Sequence, residues 1–514
     1  MASRSTTKTC CLTLPLLVEK WQSDRLNTRL ECARSIYNAF IGFELKKLRR
    51  LEATVKYAEI QSQLKAQYAL EKKRRDVKLL KALYKERKPL LRDAGITEYA
   101  FKTDMKDFYK HYSSNIKSKV AVHGIASRAW TSFERYLYGN GKRIHFKRFG
   151  EIRSIRGYSA NNGKSGGSEI IYRGEYVEWN GLRLRIKHDL KNEYEGAMLE
   201  KRVKYCAIKK VPGKTRDRWY VQLMLEGDPV VKPTHHIGTG PVGIDIGPQT
   251  IAYAAQDDVN LIELADGVQD IEKEKNRIQR KMDRSRRANN PDNYAENGTI
   301  RKGRKLTWIK SKRYKRLLHE LAVISAEQAA IRKRQHIALA NYLLTLGDRF
   351  YVEDMSWKAL TRRAKNTEIS EKTGRYKRKK RFGKSVANKA PAMLIGILDQ
   401  KLKSRGLDGV TKVSLDIRAS QYCHLTGEYH KKDLSQRWNY MPDGNVIQRD
   451  LYSAFLLAHV VKMDMEVPDK FAYDNKALFD DYESFVALHD KCIANLMTLT
   501  KTISSMGIRA NRHT

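Results

Sequence analysis

The sequence predicts an α/β multidomain protein, and three observations carry that prediction. Residues from about 23 to 138 place apolar side chains at three- and four-residue steps. Residues 139–230 are punctuated by glycine and alternate apolar with polar positions. From about 241 the order becomes strand, strand, helices, strand, helix, strand, helix, which suits helices packed around a mixed sheet. A length of 514 residues fits roughly three domains.

The elements follow in order. Residues 8–18 (KTCCLTLPLLV) are short and apolar and read as a strand. They carry Thr13 and Pro15 and lack a small-residue cleavage site, so they do not read as a signal peptide. Leu26, Leu30, Ala33, Ile36, Tyr37 and Phe40 open a helical region that Pro89 and Gly95 punctuate and that ends near Tyr138. Its basic residues, such as Lys72, Lys73, Arg74 and Arg75, suit either a solvated face or contact with nucleic acid. The runs Glu175–Trp179, Leu182–Ile186 and Trp219–Leu225 predict a β-rich module, and Gly238 and Gly240 a short linker.

Residues 241–256 predict two strands around a glycine turn. Basic helices over about 268–288 and 309–345, separated by the Gly/Asn-rich Asn289–Gly303, predict a helical hairpin. A strand at 349–354, a helix at 385–405, a strand at 409–416, an irregular stretch 420–445 and a helix from Arg449 complete the domain. The segment 461–490 holds eight acids against three lysines and is the one acidic region, at the start of an expected helical tail, 461–514.

Composition bounds the function. Lys and Arg number 100 against 58 Asp and Glu, a formal net charge of +42. Such a chain repels itself unless a polyanion neutralises it, which points to nucleic acid, with an anionic membrane surface the weaker partner. Hydrophobic residues make up 41% of the chain, enough to exclude a disordered basic tail. No stretch approaches the roughly 18 apolar residues of a membrane span. The six cysteines form no CxxC pair, which excludes a disulfide framework or a cysteine-only zinc site and suits a reducing cytoplasm.

Three acids occupy unusual positions. Asp245 interrupts the apolar strand Val242–Ile246, Glu353 ends the apolar strand Phe350–Val352, and Asp450 opens the apolar helix Leu451–Val461. Singly they read as a turn residue, a salt-bridge partner and a charge suited to a helix N-terminus. Gathered by the fold, they would repel one another unless cations lay between them. Magnesium takes such oxygen ligands and keeps water positions open for a phosphate. Two ions about 3.5–4 Å apart can promote phosphodiester cleavage. GIDIG also suits the first phosphate loop of actin-like ATPases, but no second Gly-rich phosphate loop follows residue 250.

At these residues the sequence resembles the transposon-encoded TnpB nucleases and the compact type V CRISPR effectors. VGIDIGPQTIA (242–252), YVEDMSWKAL (351–360) and QRDLYSAFLLA (448–458) resemble the three RuvC blocks. RIHFKRFG (143–150), RVKYCAIKK (202–210) and DRWYVQLMLE (217–226) resemble the β-barrel wedge domain. SVANKAPAMLIGILDQKLKSRG (385–406) resembles the helix before the last RuvC strand. The resemblance implies an RNase H-like (RuvC) nuclease domain over 241–460, a wedge domain from 1–22 and 139–236, and an inserted helical recognition lobe over 23–138. It implies an RNA-guided DNA endonuclease that cuts next to a short flanking DNA motif, with Asp245, Glu353 and Asp450 catalytic and holding magnesium, two ions by expectation. The partners implied are guide RNA and double-stranded target DNA, the state a monomer and the location a bacterial cytoplasm.

The departures are specific. Where the family carries a four-cysteine zinc finger, Cys423 stands at the first position, but Thr426, Tyr440 and Asp443 stand at the others. A structural zinc wants four ligands, so none is expected, and packing around Trp438 and Tyr440 is expected instead. Tyr452 replaces the family's asparagine two residues after Asp450. Residues 375–384 hold seven basic residues in ten; Arg375, Lys377, Arg378, Lys379, Lys380 and Arg381 suit a nucleic-acid backbone, with Tyr376 and Phe382 suited to stacking on bases. Arg143, Lys147 and Arg148, with His145, alternate around Phe146 and Phe149 as on a wedge strand touching RNA or DNA. The alternatives are a non-cleaving RNA-guided regulator, an RNase H-like DNA transposase and an RNA-packaging protein without chemistry.

Overall fold

The computed structural model describes residues 7–498, 503 and 506–508, except 71–73, 113–114, 118–119, 140, 142, 158–169, 190, 233, 302, 304–305, 363–368, 370, 372–373, 375–381, 434 and 464–469. The chain forms two compact units, one ending at Val230 and one beginning at Val231. No helix among the described residues is long and apolar enough to cross a membrane.

The first unit opens with β1 (Thr9–Leu17) and α1 (Lys20–Glu52), then α2 (Val55–Ala69), α3 (Val77–Asp93), α4 (Glu98–Phe108) and α5 (Ser127–Leu137). The expected apolar stripe of α1 is buried from Leu26 to Phe40, and Glu19 and Gln22 form a capping box at its start. The strands β2 (Ser154–Arg156), β3 (Ile170–Tyr172), β4 (Tyr176–Trp179) and β5 (Leu182–Ile186), the helix α6 (Glu193–Leu199), and the strands β6 (Val203–Val211) and β7 (Arg218–Glu226) follow. The sheet order is β2-β6-β7-β1-β5-β4-β3, antiparallel throughout. The sheet curls until its edges approach: the Cys206 thiol on β6 lies 3.4 Å from the Ile170 carbonyl on β3. A Cβ on Gly157 would lie 2.6 Å from Ile170 Cβ, so only glycine fits this near closure. Buried Arg29 joins α1 to the sheet by donating to the Trp179 and Asn180 carbonyls.

The second unit is built on a five-stranded mixed sheet of order β10-β9-β8-β11-β12. Its strands are β8 (Pro241–Ile246), β9 (Thr250–Ala254), β10 (Val259–Glu263), β11 (Arg349–Glu353) and β12 (Val410–Val413). Antiparallel pairing joins β10, β9 and β8, whereas β8, β11 and β12 run parallel. Between β10 and β11 lies the expected hairpin, α7 (Gln269–Ala288) and α8 (Lys312–Leu346). Its apolar seam is Ile278, Met282, Leu317 and Ile324. Buried Asn290 stitches the connecting segment by accepting from Ile309 N and donating to the Ile309 carbonyl.

Short α9 (Trp357–Leu360) follows β11. The single helix expected at 385–405 is two, α10 (Gly383–Lys389) and α11 (Pro391–Lys403). Ala390 at the break is left-handed (φ 48°), and Pro391 starts a new helix because it cannot continue the old one. The break lets Lys389 bury its ammonium against Glu263 Oε1 (2.8 Å) and the Ala265 carbonyl (3.2 Å).

The stretch expected to be irregular holds two hairpins, β13 (Tyr422–Cys423) with β14 (Glu428–Tyr429) and β15 (Trp438–Tyr440) with β16 (Val446–Gln448). Then come α12 (Arg449–Ala458), β17 (Val460–Lys462), β18 (Phe471–Tyr473) and α13 (Asn475–Thr498). The tail expected to be helical therefore opens with a hairpin, because Val460–Lys462 pairs with Phe471–Tyr473 before α13 begins. One sheet face packs on α8 and α11 through Val242, Ile244, Phe350, Leu343, Leu394 and Leu398. The other packs on α12 and α13 through Ala252, Leu261, Ala454, Phe455, Phe485 and Ile493.

Candidate functional site

The candidate site lies where β8 and β11 end. Val242, Ile244 and Ile246 bury their side chains on the α8/α11 face, so strand alternation turns Gly243 and Asp245 to the α12 face. The parallel register pairs Ile244 with Val352, which places Glu353, the next residue, beside Asp245.

Gly243 brings in the third acid. A Cβ there would meet the Ala454 carbonyl oxygen at 1.9 Å and the Ala458 nitrogen at 2.4 Å, so α12 rests directly on the β8 backbone. One helical turn before Ala454, a step of about 6 Å, is Asp450. Two residues beyond Gly243, a step of about 6.6 Å, is Asp245. The two steps match, and the acids meet at one end of the sheet.

The electrostatics of the three acids follow from this arrangement. Burial pushes the Asp245 carboxyl well above the usual carboxylate range, and the charges of Asp450 and Glu353 raise it further. Arg449 and Arg437 oppose the shift. Burial also raises Glu353. The Arg449 Nε lies 4.0 Å from Asp450 Oδ1, while its Nη1 donates to the Asp433 and Gln436 carbonyls at 3.1 and 3.3 Å. That anchoring fixes the Arg449 guanidinium beside Asp450. Among the described residues, no three His, Cys, Asp or Glu side chains close to the spacing of one ion's ligands. The acids share one corner and one field rather than a closed coordination shell. A cavity of about 500 Å³ opens beside Glu353, lined among others by Ile246, Asp354, Trp357, Asp399 and Lys412. Its lining by Ala392, Ile395 and Gly396 of α11 puts it on the sheet face opposite Asp245, and neither Asp245 nor Asp450 lines it.

The N-terminus of α12 is tightly specified. Gln448 is fully buried, and its Oε1 accepts from the backbone N–H of Asp450 (2.7 Å) and of Leu451 (2.9 Å). Sequence reasoning missed this cap because glutamine is not among the usual capping residues.

The cysteine-poor segment is held by side chains: of the two expected, Trp438 packs half-buried against the α12/α13 core, and Tyr440 does not. Tyr440 is 78% exposed and packs on nothing that could replace a metal. Its place on the outward side of a two-stranded hairpin explains why. Tyr452 takes the role: its hydroxyl accepts the His424 backbone N–H at 3.1 Å and pairs with His424 Nδ1 at 2.7 Å. The His424 ring meets Tyr482 edge-on at 4.5 Å, and Tyr422 stacks on Tyr473 at 4.3 Å. Cys423 is buried beside them.

Of the predicted nucleic-acid residues, Arg143, Lys147 and Arg148 lie in a loop and not on a strand. The side chains of α1 satisfy its backbone in place of a ladder: Asn38 exchanges two hydrogen bonds with Lys147 (2.8 and 2.7 Å), and Glu31 accepts from Gly150 N at 2.8 Å. Arg143 and Arg148 are exposed, as are Phe146 and Phe149. Arg375, Tyr376, Lys377, Arg378, Lys379, Lys380 and Arg381 lie outside the described residues.

No known family profile and no curated protein matches the sequence. Among solved structures, the chain is similar to a Cas12f1 chain seen by cryo-EM with sgRNA and target DNA, at a TM-score of 0.39 and 12% identity over 88% of this chain and 99% of that one. A CRISPR-Cas12f ternary complex gives a TM-score of 0.25 and 12% identity over 87% and 82%. The chemistry of the site therefore rests on its own residues.

Proposed function

We propose that this chain is a magnesium-dependent, RNA-guided DNA endonuclease, with an RNase H-like (RuvC) nuclease domain in the second unit and a wedge domain with an inserted helical lobe in the first. The observation that supports it best is the meeting of Asp245, Glu353 and Asp450 at the ends of two parallel strands and one helix. The donor set fits a hard divalent cation: three carboxylates, no thiol or imidazole, and a repulsion that a cation between them would relieve. When bound, magnesium supplies activation of water and stabilisation of the leaving oxygen at a phosphodiester. The chain's own part is to hold the three acids at one corner, to set Arg449 beside Asp450 and to keep Gly243 clear so that α12 stays seated.

A net charge of +42 supports a nucleic-acid partner, and the three RuvC-like blocks support guide RNA and double-stranded DNA as that partner. The exposed Arg143, Arg148, Phe146 and Phe149 suit a contact with backbone and bases. Expression with the native flanking locus, followed by sequencing of the RNA that copurifies, tests the reading. One abundant species with a constant scaffold and a variable segment, directing magnesium-dependent cuts in a matching duplex, is expected. A random mixture of host RNA, or guided binding without cuts, overturns it.

A further inference from the structure

The backbone that presents Asp450 is held by an imidazole from the last helix. Gln448 caps α12 through its side chain, and its own backbone N–H donates to His489 Nε2 on α13 at 2.9 Å. An Nε2 that accepts leaves the proton on Nδ1, which donates to Asp490 Oδ1 at 2.8 Å. His489 is 1% exposed, packed near Trp438 and Phe485 at ring distances of 6.4 and 6.1 Å. The Gln448 amide group points the other way, toward the Met506 carbonyl at 3.5 Å. Among the described residues, the hydrogen bonds that hold Gln448 from outside α12 and the β15–β16 ladder are those with His489 of α13 and with Met506.

We propose that His489 is a positioning residue for Asp450: as a neutral acceptor it fixes Gln448, and Gln448 fixes the backbone N–H groups of Asp450 and Leu451. The inference rests on the reading of Asp450 as a catalytic acid. His489 bonds to Gln448 and Asp490, neither of them one of the three acids, so its effect on Asp450 passes through the cap. A hydrophobic clamp alone would have kept α12 in place, but it would leave the Gln448 N–H buried without an acceptor. Burial lowers the affinity of His489 for a second proton, which preserves the accepting nitrogen.

The test uses the full chain with its copurified RNA and three variants. His489→Phe keeps the ring and loses the acceptor. His489→Gln restores an acceptor oxygen at a similar reach. Asp490→Ala removes only the exposed partner that fixes the tautomer. Two readouts are taken: hydrogen exchange of amides 448–451 without divalent ions, and kcat and KM for cleavage of a matched duplex. His489→Phe is expected to speed exchange and to lower kcat by about 10-fold, the scale of one lost hydrogen bond, with KM within about 2-fold. His489→Gln should recover most of both losses, and Asp490→Ala should show a smaller change in the same direction.

Wild-type kcat and exchange in His489→Phe overturn the inference, as does a His489→Gln variant no better than His489→Phe. If His489→Phe does not fold, unchanged exchange and kcat in Asp490→Ala overturn it. A wild-type complex that cuts nothing overturns the nuclease reading instead, and exchange alone then decides whether His489 holds the cap.

Discussion

Tyr452 Oη lies 2.7 Å from His424 Nδ1 and accepts the His424 backbone N–H at 3.1 Å, tying α12 to the β13–β14 hairpin two residues beyond Asp450. This pair cross-links α12 to the segment 420–445, where no zinc is expected. Tyr452→Phe should lower stability by about 1–3 kcal/mol, because it leaves buried His424 groups without a partner. A strong chelator should leave the melting temperature of the wild type unchanged once magnesium is removed. A chelator-induced loss of stability would show that zinc is bound in this segment after all.

The same pair sets a pH dependence. Burial lowers the His424 pKa to about 4, well under its ordinary value. The unfolded chain therefore takes up a proton that the folded chain refuses. The stability tied to neutral His424 is complete above about pH 6.5 and is lost as pH falls toward about 4. Thermal melting across that range should show a steeper loss for the wild type than for His424→Gln.

Gly243→Ala tests the seating of α12. A methyl group 1.9 Å from the Ala454 carbonyl oxygen cannot be accommodated without moving helix or strand. The expected cost is about 3 kcal/mol, at the upper end for overpacking. Cleavage should fall more than target binding, because the displaced helix carries Asp450.

Glu44 gives a prediction in the first unit. It is fully buried, its Oε2 has no partner, and Lys47 Nζ lies 3.4 Å from its Oε1. Burial raises its pKa to about 8, with Lys47 opposing and Asp104 adding to the shift. The folded state thus prefers the protonated acid. The contribution of Glu44 to stability is full below the ordinary glutamate range and declines as pH rises toward about 8. Glu44→Gln should flatten that decline, measured by chemical unfolding at pH 5, 6.5 and 8.

Much of this site was legible in the sequence because its signals are local. An aspartate inside an apolar strand, a glutamate at the end of another and an aspartate at the start of an apolar helix each break a strong pattern. The residues that hold them in place break none. Gln448 precedes Asp450 without resembling a cap, and His489 sits on an amphipathic helix 41 positions from the residue it holds. The break at Ala390 was hidden because the helical period continues across it, while Lys389 finds its buried partner only in three dimensions. The loop 143–150 has the alternation of a strand, but Asn38 and Glu31 satisfy its backbone first.

The most direct test of the central claim compares wild type with Asp245→Asn in the same RNA complex, on a matched duplex, over a magnesium titration. The account predicts cuts by the wild type that rise with magnesium, and no detectable cuts by Asp245→Asn, with target binding within about 2-fold and a higher melting temperature in chelator, since a buried repelling charge is gone. Undiminished cleavage by Asp245→Asn, or wild-type cleavage indifferent to magnesium and chelator, would contradict it.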